Sequence, residues 1–183
     1  MKHILYTPLD KEKLRELKAG DEVEINGIVY AARDAAHKRL FEMLQKGENL
    51  PLDISGQVIY YVGPCPAKPG KVIGSAGPTT SSRMDAYTPA LIEKGISGMI
   101  GKGLRSAQVV EAMVKYGAVY FGAIGGAGAL ISKHIVRQEI IAFQELGPES
   151  LRLMEVKDFP AIVVIDSYGN DLHEIGRKKY RIT

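Results

Sequence analysis

The chain has no tryptophan and a single cysteine, Cys65. One thiol cannot close an internal disulfide, and it cannot alone hold an iron–sulfur cluster, which ordinarily takes about four thiolates. The four histidines, His3, His37, His134 and His173, fall at no metal-ligand spacing. Long apolar runs are missing too. Nothing approaches the ~20 consecutive apolar residues of a membrane span, and Met1 to Pro8 lack the apolar stretch of a secretory leader. The expectation is a cytoplasmic protein with no membrane contact and no metal held by this chain. Charge of one sign is also scarce. A net charge of +3, spread evenly, argues against nucleic-acid binding, which wants a concentrated basic surface. Nine tyrosines could stack bases, but no basic–aromatic motif organises them.

What is present is an ordinary globular composition, with 45% hydrophobic and 25% charged residues. The 183 residues suit one domain spanning positions 1–183 with a real core. Asp10 is placed to cap a short helix running to Lys18, with Gly20 at its exit. Val23 and Ile25 alternate with acidic residues, Asn26-Gly27 is the favoured two-residue turn, and Ile28-Val29-Tyr30 return, so a hairpin is predicted. Apolar residues at helical spacing predict helices over Asp34 to about Lys46, Arg83 to Lys94 and Ser106 to Tyr116. Strands are predicted at Gln57–Val62, Lys71–Ser75, Gly98–Ile100, Ala118–Phe121 and Ala161–Asp166, a Pro/Gly-rich loop leading into the second. This order fits an α/β or α+β fold. No repeat or linker divides the chain.

The stretch richest in chemistry is Gly77-Pro78-Thr79-Thr80-Ser81-Ser82-Arg83-Met84-Asp85. Gly-Pro forces a turn, and the four hydroxyl residues after it are good helix caps. First-turn amides can face an anion, and Arg83 adds a planar fork suited to a carboxylate. Taken alone, the run reads as an anion site or as a polar turn capping a helix near Arg83. Arg33, before the Asp34 helix, faces a cleft or simply pairs with Asp34. His37, one turn on, reads first as a packed structural histidine. Lys102, between two glycines, can reach into a site, but Gly103 stands where a Walker motif needs Ser or Thr. The glycines of Gly122 to Gly128 miss the dinucleotide spacing and read as close backbone packing. Cys65 has no base beside it to make it a nucleophile.

Gly-Pro-Thr-Thr-Ser-x-Arg-Met-Asp resembles the signature of the class I, iron–sulfur-dependent fumarase and L-tartrate dehydratase family, in its C-terminal domain or separate beta subunit. The likeness continues in Ala32-Arg33-Asp34-Ala35-Ala36-His37, Tyr61-Val62-Gly63-Pro64, Gly101-Lys102-Gly103, Gly125-Gly126-Ala127-Gly128-Ala129, Phe159-Pro160-Ala161 and Asp166-x-x-Gly169-Asn170-Asp171-Leu172, so it spans essentially the whole chain. The resemblance implies a swivelling β/β/α domain of mixed α/β layers. It casts Thr79 as the catalytic base and Arg33, Arg83 and Lys102 as substrate-binding residues, with Gly77, Pro78, Thr80, Ser81 and Asp85 as the supporting loop. It also implies a [4Fe-4S] cluster carried by three cysteines of an alpha subunit, a symmetric α2β2 assembly with paired beta subunits, and a C4 dicarboxylate substrate. Fumarate hydration is the first expectation. Tartrate or mesaconate chemistry is the alternative, and a non-catalytic anion-binding or assembly module the more distant one.

Overall fold

Period-two alternation decides how the strands pack. In the computed structural model, which describes residues 1–182, β1 (Lys2–Tyr6), β2 (Glu22–Ala31), β3 (Val58–Tyr60), β4 (Gly98–Gly101) and β5 (Val119–Gly122) lie side by side and parallel. A long strand, β7 (Leu151–Ile165), runs antiparallel to β5 and also to β2, so the ladder β2-β3-β4-β5-β7 closes on itself. β6 (Ile135–Ala142) pairs with the first half of β7. The enclosed face buries Val23, Ile25, Val29, Val58, Tyr60, Ile100, Val119, Phe121, Phe159 and Val163. The outer face buries Tyr30, Ile59, Tyr61, Met99 and Tyr120. Three helices cover that outer face: α2 (Asp34–Gln45) through Leu40, α3 (Thr88–Glu93) through Leu91, and α4 (Ala107–Tyr116) through Met113. The result is a mixed α/β fold with the layer order strand, strand, helix. Three further helices, α1 (Lys11–Glu16), α5 (Gly128–Ile131) and α6 (Leu172–Tyr180), lie in the connections and at the end.

Several predicted elements are corrected. Asp10 does cap α1, accepting from the Glu12 amide at 2.9 Å, but the helix ends at Glu16 because Leu17 is extended. The Asn26-Gly27 hairpin does not form. Both residues lie within β2, where the register against β7 shifts between Ile25 and Gly27 and Gly27 takes a φ of 103°. With β7 alongside its whole length, the chain absorbs the turn signal as a bulge instead of reversing. Lys71–Ser75 is a loop, tied to Cys65 by two backbone bonds, since Pro66 and Pro69 have no amides to extend a ladder.

The helix expected from Arg83 is broken in two. Ser81–Met84 form one 3-10 turn, and α3 starts only at Thr88 with a proline in its first turn. Pro89 has no amide to give to an earlier carbonyl, so a helix begun at Arg83 cannot run through it.

Candidate active site

Parallel strands all end on one edge, and in α/β sheets ligands bind outside those carboxyl ends. Here Arg33 follows β2, Gly63 follows β3, Lys102 follows β4 and Gly125 follows β5. The Thr79 loop lies across the same edge. The Thr79 amide donates to the Tyr61 carbonyl at 2.7 Å, the Lys102 amide to the Thr79 carbonyl at 3.3 Å, and the Ser81 amide to the Lys102 carbonyl at 2.9 Å. Thr79 and Lys102 are thus fixed side by side through their backbones. The loop comes this close because β4 ends in glycine: a Cβ at Gly101 would run into Ser81 Oγ and lie 2.8 Å from the Tyr61 ring. Pro78 is buried, Gly77 packs on Gly128, and Thr80 is exposed.

These contacts revise the expectation that helix amides face an anion. The Thr79 and Ser81 amides are engaged with Tyr61 and Lys102, and Thr80, ahead of the 3-10 turn, makes no side-chain cap. Positive charge at this edge therefore comes from side chains.

Asp34 joins two of those side chains. Its Oδ1 accepts from Arg83 Nε at 2.7 Å, and its Oδ2 lies 3.7 Å from Arg33 Nε. The Arg33–Asp34 pairing considered from sequence is present but loose, and Asp34 holds Arg83 more closely. Glu149 lies 3.5 Å from Arg33 Nη2 and accepts the Ala35 amide at 3.1 Å, which satisfies a first-turn donor of α2. Arg33 is stretched across Gly63, where a Cβ would come within 2.8 Å of its Cδ. Arg33 is 22% exposed and Arg83 51%. Arg83 uses only Nε on Asp34, leaving its terminal nitrogens without an ion-pair partner among the described residues. Lys102 is exposed, forms no ion pair among the described residues, and lies over Gly125, whose Cβ position is 3.7 Å from its Nζ.

Sequence reasoning missed Arg105. Its side chain has no solvent exposure, and its Nε donates to Asp85 at 2.8 Å. Its remaining nitrogens donate to the Tyr61 hydroxyl at 3.1 Å and Thr88 Oγ1 at 2.9 Å. Burial opposes the charge, but Tyr61 and Asp85 outweigh it and hold the guanidinium above its ordinary value. Asp85 faces inward, accepting the Ser106 amide at 2.6 Å as well. His37 is fully buried beside Tyr61, with Nδ1 donating to the Arg33 carbonyl at 2.8 Å. Burial pushes its pKa down to about 4, so it is a neutral packing residue at pH 7.

Among the described residues no group of three or more His, Cys, Asp or Glu is placed to hold a metal ion, and Cys65 is a lone exposed thiol. The donor set of this chain does not fit a [4Fe-4S] cluster. No helix among the described residues is long and apolar enough to cross a membrane. An apolar cleft of about 370 Å³, lined by Val23, Ile124, Ala127, Leu130, Ile131 and Ile162 among others, contains none of the four predicted site residues. Arg83 and Lys102 are exposed, so the cationic cluster is open to solvent.

The family described as Fumarase C-terminus matches residues 2–176. The chain belongs to that family. It is 42% identical to a Leishmania major protein named fumarate hydratase 2, the match covering 92% of this chain and 30% of the relative. It is 41% identical to a putative fumarate hydratase class I of Geobacillus stearothermophilus, covering 93% of this chain and 33% of that protein. A putative L(+)-tartrate dehydratase subunit beta of Methanocaldococcus jannaschii is 39% identical, with 95% of this chain and 92% of the relative covered. The chain thus spans about a third of the first two relatives and nearly all of the third.

Proposed function

We propose that this chain is the beta subunit of a two-subunit hydro-lyase acting on a C4 dicarboxylate, with reversible hydration of fumarate to L-malate as its reaction. The observation that carries the reading is the meeting of Arg33 and Arg83 on Asp34, beside the Thr79–Lys102 pair, at the carboxyl ends of the parallel strands. Three cations there face two carboxylates, Asp34 and Glu149, so an excess of positive charge awaits an anion. The match over 92% of a relative named as a dehydratase beta subunit supports the two-subunit form. We place the [4Fe-4S] cluster implied by the family resemblance on an alpha subunit, and we propose an α2β2 assembly in the cytoplasm.

In the dehydration direction, a proton leaves the carbon beside a carboxylate, negative charge builds on that carboxylate, and the hydroxyl on the adjacent carbon departs to give water as the double bond forms, a departure that the Lewis-acid chemistry of a cluster on the alpha subunit would assist. Groups that meet the charge as it develops lower the barrier more than groups that only bind the ground state. Arg83 offers its free fork to one carboxylate and Arg33 its guanidinium to the other. Lys102 contributes a mobile ammonium beside Thr79. Thr79 takes the proton as an alkoxide, a form that the three neighbouring cations favour. In the hydration direction the same hydroxyl returns the proton.

A second reading has its own support: the relative of matching length is named for L-tartrate. Anaerobic assay of the chain with its alpha subunit on malate, fumarate, tartrate and mesaconate separates them. Turnover is expected with fumarate and malate, and the chain alone is expected to be colourless and inactive. Turnover with tartrate alone selects the second reading. Turnover by the isolated chain contradicts the two-subunit form, and native mass measurement of the complex checks α2β2.

A further inference from the structure

Arg105 lies beneath the cationic surface, and the groups it touches belong to segments that carry site residues. Its guanidinium sits 5.1 Å from both the Tyr61 and the Tyr120 ring centroids. Tyr61 receives the Thr79 amide on its carbonyl and an Arg105 hydrogen bond on its hydroxyl. The Tyr120 hydroxyl donates to the Gly103 carbonyl at 3.0 Å and accepts from Ser81 Oγ at 2.8 Å, which ties the Lys102 turn to the Thr79 loop. Asp85, two residues past Arg83, closes the set on Arg105 Nε. With no exposed side-chain surface, Arg105 cannot touch a substrate.

We infer that Arg105 is a positioning residue for the proposed hydro-lyase: held between Tyr61 and Tyr120 and bonded to Asp85 and Thr88, its planar fork sets the spacing of Thr79, Arg83 and Lys102. The kinetic side of this inference rests on the hydro-lyase reading, while its structural side does not. Three acceptors, Asp85 and Thr88 on the stretch after Arg83 and Tyr61 after β3, are met by donors fixed in one plane, which a lysine ammonium cannot reproduce. A buried ion pair with only a stabilising role behaves differently. Replacing both of its charges together by neutral partners is often tolerated, and activity then returns with stability.

The test uses three variants: Arg105→Gln, Arg105→Lys, and the paired Asp85→Asn/Arg105→Gln, in which the Asn oxygen still accepts the Ser106 amide. The paired variant is expected to recover most of the melting temperature lost by Arg105→Gln. Assembled with the alpha subunit, it keeps a loss in kcat/KM on the order of 10²-fold, as displaced catalytic groups do, with kcat falling more than KM rises. Arg105→Lys, which retains the buried charge, shows the same loss. A readout independent of activity is amide hydrogen exchange in the isolated chain. Thr79 and Ser81 are expected to exchange at least about tenfold faster in all three variants while Val29 in β2 keeps its wild-type rate. Wild-type kcat/KM in Arg105→Lys, or wild-type exchange at Thr79 and Ser81 in the paired variant, overturns the inference. If the wild-type complex turns over no dicarboxylate, the hydro-lyase reading fails, and the exchange rates still decide the positioning role.

Discussion

Asp34 is the residue on which the cationic surface is organised, because one carboxylate orients Arg83 and borders Arg33. The bond to Asp34 uses Arg83 Nε and leaves the fork free, an arrangement that lysine cannot copy. Arg83→Lys is therefore expected to lower kcat/KM by ~30-fold, about 2 kcal/mol, the low end for a lost charge-assisted contact since Arg83 is half-exposed. Steady-state kinetics checks this, and wild-type values would mean that Arg83 serves Asp34 alone. Arg33, Thr79, Arg83 and Lys102 stood out in the sequence as polar residues at turns or helix starts, but the roles expected of them came from the family resemblance and not from those local runs. Arg105 did not stand out. Between Leu104 and Ser106 it reads as a surface cation, and its burial depends on Asp85, Tyr61 and Thr88, which lie 17 to 44 residues away. The Arg83–Asp34 pair, 49 residues apart, was hidden for the same reason.

At the scale of elements, short apolar runs exposed β3, β4, β5 and the end of β7, and helical spacing exposed α2 and α4, since both signals are local, whereas β1 and β6 were not predicted. The failures came where a neighbour overrode a local signal. Asn26-Gly27 bulges because β7 pairs along both sides of it, and the Arg83 helix stops because Pro89 has no amide to donate. The tightest joint between elements is Gly101, where β4 meets Ser81. Gly101→Ala is expected to displace Ser81 from the Tyr120 hydroxyl and to cost about 2 kcal/mol, as overpacking does. That corresponds to roughly 4–8 °C in Tm, read by thermal unfolding. Helix α2 carries a pH dependence through His37. Its pKa of about 4 in the fold lies below an ordinary value of about 6.5, so the unfolded chain binds a proton that the folded chain refuses between those values. Its contribution to stability is full above about pH 7 and falls by about 3 kcal/mol as pH drops to 4. Denaturant titration at both pH values should show the gap between wild type and His37→Gln shrinking by that amount. A gap independent of pH would mean that His37 is solvated in the folded chain.

At the scale of the whole molecule, closure of the ladder through β7 was not legible, because it joins β2 to a strand more than a hundred residues later in the chain. That closure pairs both outer strands of the edge carrying the candidate site, β2 and β5, with β7. Four parallel strands and a bracing fifth set the backbone take-off points of Arg33, Lys102 and the Thr79 loop before any ligand arrives. Among the described residues there is no donor set for a cluster, so the proposed hydro-lyase places turnover in a complex and the base on this chain. One measurement tests that division directly: anaerobic titration of the cluster-loaded alpha subunit with wild-type chain or Thr79→Ala, following fumarate and malate. Wild-type chain is expected to restore turnover in saturable fashion, while Thr79→Ala is expected to saturate at the same concentration with kcat lower by a factor on the order of 10² to 10⁴, as for a lost base, and KM little changed. A Thr79→Ala complex that keeps more than about a third of wild-type kcat would contradict this division, since a lost general base costs far more.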